Sequence, residues 1–309
     1  MKADAATLPD PAVLASSRLA DYVALTKPRV AILVLFTVGA GALLAAGPRI
    51  DPLLLFHTVF GTALVAGGAS ALNQLIERNS DGLMRRTENR PLPAGRLQPR
   101  EVWLFGAGLG ILGVAYLALT LRQVITPLVA AFTFVAYVGI YTPLKSRTSL
   151  NTLIGAVPGA LPPVIGWTAV RGSVGPEACS LFAVVFLWQV PHFLAIAWIY
   201  RDDYARAGLC MLPVVDRDGT VTGRQMVVYS LALIPASFAL VLQGTAGPVY
   251  LLGALALGLG FLRCAAGFAR DPSEARARRV LKASLVYLPG LLALLLLDSL
   301  SRGAATFGP

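Results

Sequence analysis

Charge is scarce in this chain. Only 14% of its 309 residues are Asp, Glu, Lys or Arg, against 56% hydrophobic, whereas soluble domains carry about 25% charged residues. That leaves no room for a separate soluble domain. Acids are also absent from the middle of every long apolar run, although 16 are present. This argues against a proton- or sodium-coupled transporter, whose ionisable groups sit near the bilayer midplane. Cysteine is rare, and Cys179, Cys210 and Cys264 form no spacing pattern, so neither a disulfide framework nor a zinc site is expected. No apolar core follows the N-terminal charge, so the first residues do not read as a secretory signal. Asp4, Asp10 and Asp21 argue against a mitochondrial transit peptide.

Long apolar runs, in contrast, are abundant. Crossing a bilayer takes about 20 mostly apolar residues. Nine runs qualify: Val30–Ala46, Leu53–Ile76, Val102–Leu121, Val124–Tyr141, Leu150–Val170, Leu181–Tyr200, Met226–Leu242, Val249–Phe268 and Val280–Leu297. The first is short, and the second is long enough to emerge from the bilayer near its end. The expectation is an all-α polytopic membrane protein with one nine-helix domain over residues 25–299. A tail of residues 1–24 precedes it and a short tail of residues 300–309 follows.

Basic residues orient the spans. With the N-terminus in the cytoplasm, the inside segments hold 22 of the 26 Lys and Arg, leaving only Arg49, Arg122, Arg171 and Arg302 outside. That asymmetry follows the positive-inside rule and supports an odd number of spans. Most of the formal charge of +10 is therefore a topology signal. A bacterial inner membrane is the simplest address.

The densest chemistry lies where the second run ends. Asn73, Glu77 and Asp81 recur every four residues, a spacing that drifts only about 40° around a helix. Three oxygen-bearing side chains on one stripe suit Mg²⁺, a hard cation that favours carboxylates, waters and phosphates. The plainer alternative is a solvated helix end whose acids pair with Arg78 and Arg85. A second acidic point, Asp202 and Asp203, follows the sixth run. The two points lie four spans apart, as corresponding points of a duplicated unit would, or as two independent charged loops would. Arg86 and Arg90 follow the first stripe, and Lys145 and Arg147 follow the fourth run. Arginine grips phosphate oxygens bidentately and lysine acts as a point charge. Each could instead anchor topology, but for Arg86, Arg90 and Lys145 the neighbouring groups favour a phosphate role.

His192 precedes Asp203 by eleven residues, about 20° apart around an unbroken helix and about 16 Å along it. Both would then point into one cavity, with Gln189 near the same face. A helix-packing histidine is the alternative to substrate orientation or an iron contact. His57 lies about 160° from Asn73 around its own helix and reads as structural. In the fifth run, Gly155-Ala-Val-Pro158-Gly159-Ala-Leu-Pro162-Pro163 predicts close packing with a bend, or a bend that opens a cavity.

Taken together, Asn73-x-x-x-Glu77-x-x-x-Asp81-x-x-Met84-x-Arg86-Thr87-x-x-Arg90-Pro91-Leu92 resembles the first aspartate-rich motif of the UbiA-type intramembrane prenyltransferases. Further blocks are similar to the branch of that family that farnesylates haem. These are Leu25-Thr-Lys27-Pro28-Arg29, Tyr141-Thr-Pro-Leu-Lys145, Asn151-Thr through Gly166-Trp167, Trp188-Gln189-Val-Pro191-His192-Phe193 and Arg201-Asp202-Asp203-Tyr204. The resemblance covers about Ala20 to Val215, and the last three spans match in hydropathy alone. It implies nine helices around a central cavity open to the cytoplasm. It implies Mg²⁺ held by Asn73, Glu77, Asp81 and Asp203, and farnesyl diphosphate contacted by Arg86, Arg90 and Lys145. It further implies haem B as acceptor and haem O as product, with substrate contacts from Arg147, Gln189, His192 and Tyr204. Membrane lipids, and a haem A synthase or terminal oxidase as assembly partner, follow from the same resemblance; nucleic acid does not. Two positions depart from the family pattern: Asn79 stands where many relatives have Asp, and Ser146 follows Lys145 where relatives often have Arg, a charge Arg147 could supply. A different prenyl acceptor, such as a hydroxybenzoate or a chlorin, and a non-catalytic haem carrier remain the competing readings.

Overall fold

The computed structural model describes residues 11–47 and 49–306, so the tail residues 1–10 and 307–309 lie outside the described residues. Among the described residues there are helices and no strands, and nine helices are long and apolar enough to cross a membrane. They are span 1 (Pro28–Ala46), span 2 (Pro52–Ile76), span 3 (Pro99–Thr120), span 4 (Ile125–Leu144), span 5 (Asn151–Arg171), span 6 (Pro176–Ile199), span 7 (Thr220–Leu242), span 8 (Pro248–Arg270) and span 9 (Glu274–Ser299). Each expected run ends within six residues of an observed helix at both ends, the larger offsets being polar first turns that hydropathy does not register. Span 1 gains two residues by starting at Pro28, a position where its lost N–H is not needed. A preceding helix, Pro11–Leu25, lies before it.

The spans close into two packed groups. Span 1 packs on span 2, span 2 on span 3, span 3 on span 4, span 4 on span 5, and span 5 back on span 1. Spans 6, 7, 8 and 9 form a second closed set, and the two sets meet where span 5 packs on span 6 and span 1 on span 9. Spans 5 and 6 are accordingly the most buried. Outer faces carry large apolar side chains such as Ile111, Leu112, Leu119, Leu242 and Leu252, all exposed, as a lipid-facing surface requires.

Small residues set the closest approaches. Without a hydrophobic driving force between helices in lipid, packing depends on how near the backbones can come. A Cβ on Gly166 would collide with the Val38 carbonyl, and one on Gly41 with the Pro163 carbonyl. Spans 1 and 5 therefore touch backbone to backbone.

Span 5 is also broken. It runs as Asn151–Gly159, stops at Ala160 and Leu161, and resumes as Pro162–Arg171. Both expectations for its prolines are met: the second half packs tightly on span 1, and Gly155, Gly159 and Pro162 of the bend line an internal cavity. The Gly166→Leu variant should separate spans 1 and 5 and cost about 1–3 kcal/mol, as overpacking does. A fall in thermal unfolding midpoint in detergent measures it, and an unchanged midpoint would contradict this packing.

Candidate functional site

Charge gathers around one cavity of the bundle. The ladder of backbone hydrogen bonds continues past the end of span 2: Glu77 N–H donates to Asn73 O at 3.0 Å and Asp81 N–H to Glu77 O at 2.7 Å. A short helix, Arg78–Asp81, carries the chain on. The four-residue stripe thus survives the helix end, and Asn73, Glu77 and Asp81 line one cavity of about 400 Å³. Arg86, Arg90, Lys145, Gln189, His192 and Tyr204 line the same cavity.

Each carboxylate has a cation. Lys145 Nζ lies 2.6 Å from Glu77 Oε1, and Arg90 Nη1 donates to Asp81 Oδ2 at 2.7 Å. Asp81 is buried, and its Oδ1 has no hydrogen-bond partner. Thr87 Oγ1 donates to Asp81 O at 2.8 Å and folds the loop so that Arg90 returns to the stripe. Arg86 lies over the Tyr200 ring, 5.0 Å from its centroid, and approaches the Tyr204 hydroxyl at 3.5 Å.

A fourth cation was not foreseen as a site residue. Lys27 Nζ donates to Asn73 Oδ1 at 2.8 Å, while Asn73 Nδ2 donates to Thr142 Oγ1 at 3.2 Å. These two bonds fix the Asn73 amide. Lys27 holds a left-handed backbone, φ 49° and ψ 60°, which is costly for a residue with a Cβ. That conformation turns its side chain inward at the start of span 1. The signal in the sequence was a lysine directly before the Pro that begins an apolar run. In the sequence it counts among the inside charges and within the Leu25–Arg29 block of the family resemblance, with no site role.

Electrostatics follow from this crowding. Burial, then repulsion from Arg90 and Lys145, lowers the Lys27 ammonium to about 7. Burial works against charge on Glu77, but Lys145 and Lys27 outweigh it and hold its pKa below the ordinary value. Burial raises Asp81, with Arg90 opposing. Burial also opposes the Lys145 charge, yet Tyr141 and Glu77 hold its pKa well above that of an ordinary lysine.

Tertiary geometry aims the remaining groups. Span 4 ends in a π-helical turn, Ala136–Tyr141, a deviation often found at functional sites. It brings Tyr137 and Tyr141 to the cavity, and Lys145 Nζ sits 4.6 Å from the Tyr141 ring centroid. Gly155 makes room for that ring, since a Cβ there would strike it. The loops after spans 2 and 6 meet in an apolar cluster of Met84, Ala197, Tyr204, Leu209 and Met211. Cys210 N–H donates to Lys145 O at 2.8 Å and ties the loop after span 4 to them.

Two expected site residues stand apart. Arg147 is exposed and does not line the cavity. Asp203 pairs with Arg206 and is also outside the lining. Its expected alignment with His192 assumed an unbroken helix. Span 6 instead ends at Ile199, Tyr200 leaves helical geometry (φ −108°, ψ 21°), and a new helix, Arg201–Arg206, begins. That reset turns Tyr204 inward in place of Asp203. His57 meets Tyr116 Oη at 2.6 Å away from the cavity, in keeping with a structural role.

Oxygen donors dominate the stripe. An amide oxygen and two carboxylates, one of them with an unpartnered oxygen, match what Mg²⁺ takes when it keeps waters and shares substrate phosphates. Among the described residues no group of three or more His, Cys, Asp or Glu gathers to hold a metal without such help. The cavity's four cations exceed its two carboxylates, so a ligand carrying several negative charges fits there.

Known proteins give this geometry a context. The model of the UbiA prenyltransferase family matches residues 34–287. The chain is 47% identical to a protoheme IX farnesyltransferase of Solibacter usitatus, covering 90% of this chain and 98% of that one. It is 44% identical to a protoheme IX farnesyltransferase of Koribacter versatilis, covering 94% and 96% respectively. Among solved structures, a digeranylgeranylglyceryl phosphate synthase superposes with a TM-score of 0.77 at 17% identity, over 92% of this chain and 99% of that one. A UbiA homolog from Archaeoglobus fulgidus bound to GPP and Mg²⁺ superposes with a TM-score of 0.63 at 13% identity, over 89% and 99%.

The Arg90→Ala variant should destabilise the protein by about 1–3 kcal/mol, because it leaves the buried Asp81 carboxylate without its partner. Arg90→Ala combined with Asp81→Asn should regain most of that loss. Equal loss in the single and double variants would mean the pair does not interact.

Proposed function

The chain belongs to the UbiA prenyltransferase family, and from that premise we propose that it transfers the farnesyl group of farnesyl diphosphate to a vinyl group of haem B. Water addition completes the reaction, and haem O and diphosphate are the products. The observation that carries this reading is a single cavity holding the carboxylate stripe, four cations and an apolar interior lined by span 6. The names of the relatives at 44% and 47% identity support haem as the acceptor.

The charged end holds the diphosphate. Lys27, Arg86, Arg90 and Lys145 engage its oxygens, and Asn73, Glu77, Asp81 and Asp203 would hold Mg²⁺. When bound, Mg²⁺ supplies Lewis-acid neutralisation of the departing diphosphate. The ion pairs of Lys145 with Glu77 and Arg90 with Asp81 keep each buried charge compensated until that partner exchange. Asp203, paired with Arg206 outside the cavity lining, would have to exchange that partner to join the set. Arg147, outside the cavity, acts earlier as an attracting charge.

The bond between C1 of the farnesyl chain and the diphosphate oxygen then breaks, and both electrons leave with the diphosphate. The four cations stabilise that developing charge. The vinyl π electrons form a bond to C1 and leave a cation on the vinyl carbon attached to the porphyrin. Water adds there and loses a proton, giving a hydroxyethylfarnesyl side chain. The apolar walls of spans 1, 5 and 6 keep water from the farnesyl cation before that. Gln189, held by its Nε2 near the Ala156 and Val185 carbonyls at 3.4 and 3.2 Å, and Tyr204 line the acceptor's path. The excess of basic residues in alternate loops supports a bacterial cytoplasmic membrane with this cavity facing the cytoplasm. A haem A synthase or terminal oxidase would take up the product.

Incubating the purified protein with Mg²⁺, farnesyl diphosphate and haem B should raise the haem mass by one farnesyl group and one hydroxyl. Unchanged haem under conditions where the same protein prenylates a phenol would reject haem as acceptor. Asp81→Ala and Asp203→Ala should each abolish turnover. Near-normal activity in correctly inserted protein would sink the metal assignment for that residue.

A further inference from the structure

His192 is nine-tenths buried, lies on span 6, and lines the cavity. Its Nδ1 is 2.7 Å from the Ser284 hydroxyl on span 9. That hydroxyl donates its proton to the Leu281 carbonyl, at 2.7 Å. A hydroxyl has one proton to give and a carbonyl can only accept, so both contacts are hydrogen bonds together only when Nδ1 donates to Ser284 Oγ. The ring is therefore held as the Nδ1–H tautomer, and Nε2 keeps a bare lone pair.

Three further features fix that lone pair in place. The Trp188 ring stacks on the imidazole, with centroids 4.7 Å apart and planes 22° apart. Trp188 Nε1 donates to the Ser284 backbone carbonyl at 2.8 Å, so both rings are tied to one residue of span 9. Phe193 meets the imidazole edge-on at 5.4 Å. Among the described residues no hydrogen bond reaches Nε2, and His192 lines the cavity. A histidine that only joined two helices would have no need of a free nitrogen in a cavity. The pattern is that of a metal-ligating imidazole, which donates through one nitrogen to a second residue and coordinates through the other. His192 is the only imidazole lining the cavity among the described residues.

We propose that His192 Nε2 is the axial ligand of the haem iron during prenyl transfer, and that Ser284 is the positioning residue that sets its tautomer. The inference rests on the reading that haem is the acceptor. Coordination requires only that the Nε2 lone pair enter a vacant position on iron: no porphyrin bond breaks and no electron is transferred. Neutral imidazole is a common haem ligand. Anchoring the iron on span 6 while the diphosphate is held by the stripe on span 2 leaves the macrocycle free mainly to turn about the iron–nitrogen bond. The tether then acts on orientation, which bears on which vinyl group meets C1.

The test uses the purified full-length protein and ferric haem B, with absorption and resonance Raman spectra as readouts. Wild-type protein should show imidazole-ligated iron. His192→Gly should lose that signature, and added imidazole should restore it. Ser284→Ala should weaken haem binding about tenfold, as loss of an outer-shell partner does, and should shift the iron–imidazole vibration; Ser284→Thr should preserve both. If His192→Gly does not fold, the Ser284→Ala vibration decides, and an unshifted band overturns the proposal. An unchanged His192→Gly spectrum, in protein that still farnesylates haem, would overturn the iron contact and leave the reaction standing. Failure of wild-type protein to bind haem B would overturn both.

Discussion

Buried charge compensation is the interaction on which the rest of this structure depends. Glu77 and Asp81 sit where a membrane helix meets the end of an apolar bundle, and neither could stay ionised there alone. Lys145 and Arg90 make that placement tolerable, and Lys27 reaches the stripe through Asn73. These contacts join the ends of spans 1, 2 and 4. The same pairs keep four cations and two carboxylates together in one cavity.

The apolar bundle is shaped around that charged end. Backbone contact between spans 1 and 5 holds one wall of the cavity, and the interruption after Gly159 opens another. The π turn in span 4 re-aims Tyr137, Tyr141 and Lys145 within a helix that would otherwise carry them past the cavity. Loops after spans 2, 4 and 6 are bound to one another by the cluster around Tyr204 and by the bond from Cys210 to Lys145. The site is thus assembled from segments far apart in sequence and held by packing that involves no ligand. Ser284, on the last span, belongs to the same design: it reaches the cavity only through His192.

Much of this was legible in the chain itself. The nine spans follow from apolar run length, because a bilayer demands about 20 such residues and nothing else in the chain competes. The stripe of Asn73, Glu77 and Asp81 follows from helical periodicity, and it persists because the i to i−4 ladder runs through Glu77. Arg86 and Arg90 were legible as neighbours of the stripe because they follow it closely in sequence, and they line the same cavity. His192 was legible as a cavity residue, but nothing in the sequence ties it to Ser284, 92 residues away.

Sequence by itself determined the helices, their number and the chemistry of the charged stripe, since hydropathy and a four-residue repeat are local properties. Only the tertiary structure decided which residues meet. Lys27 turns inward because its backbone is left-handed, a property fixed by how the Pro11–Leu25 helix and span 1 are joined. Tyr204 replaces Asp203 at the cavity because the helix breaks at Tyr200, and helical phase cannot be carried across a break. The His192 tautomer depends on a hydroxyl from another span. Each of these is set by contacts between segments distant in sequence, which no periodicity encodes.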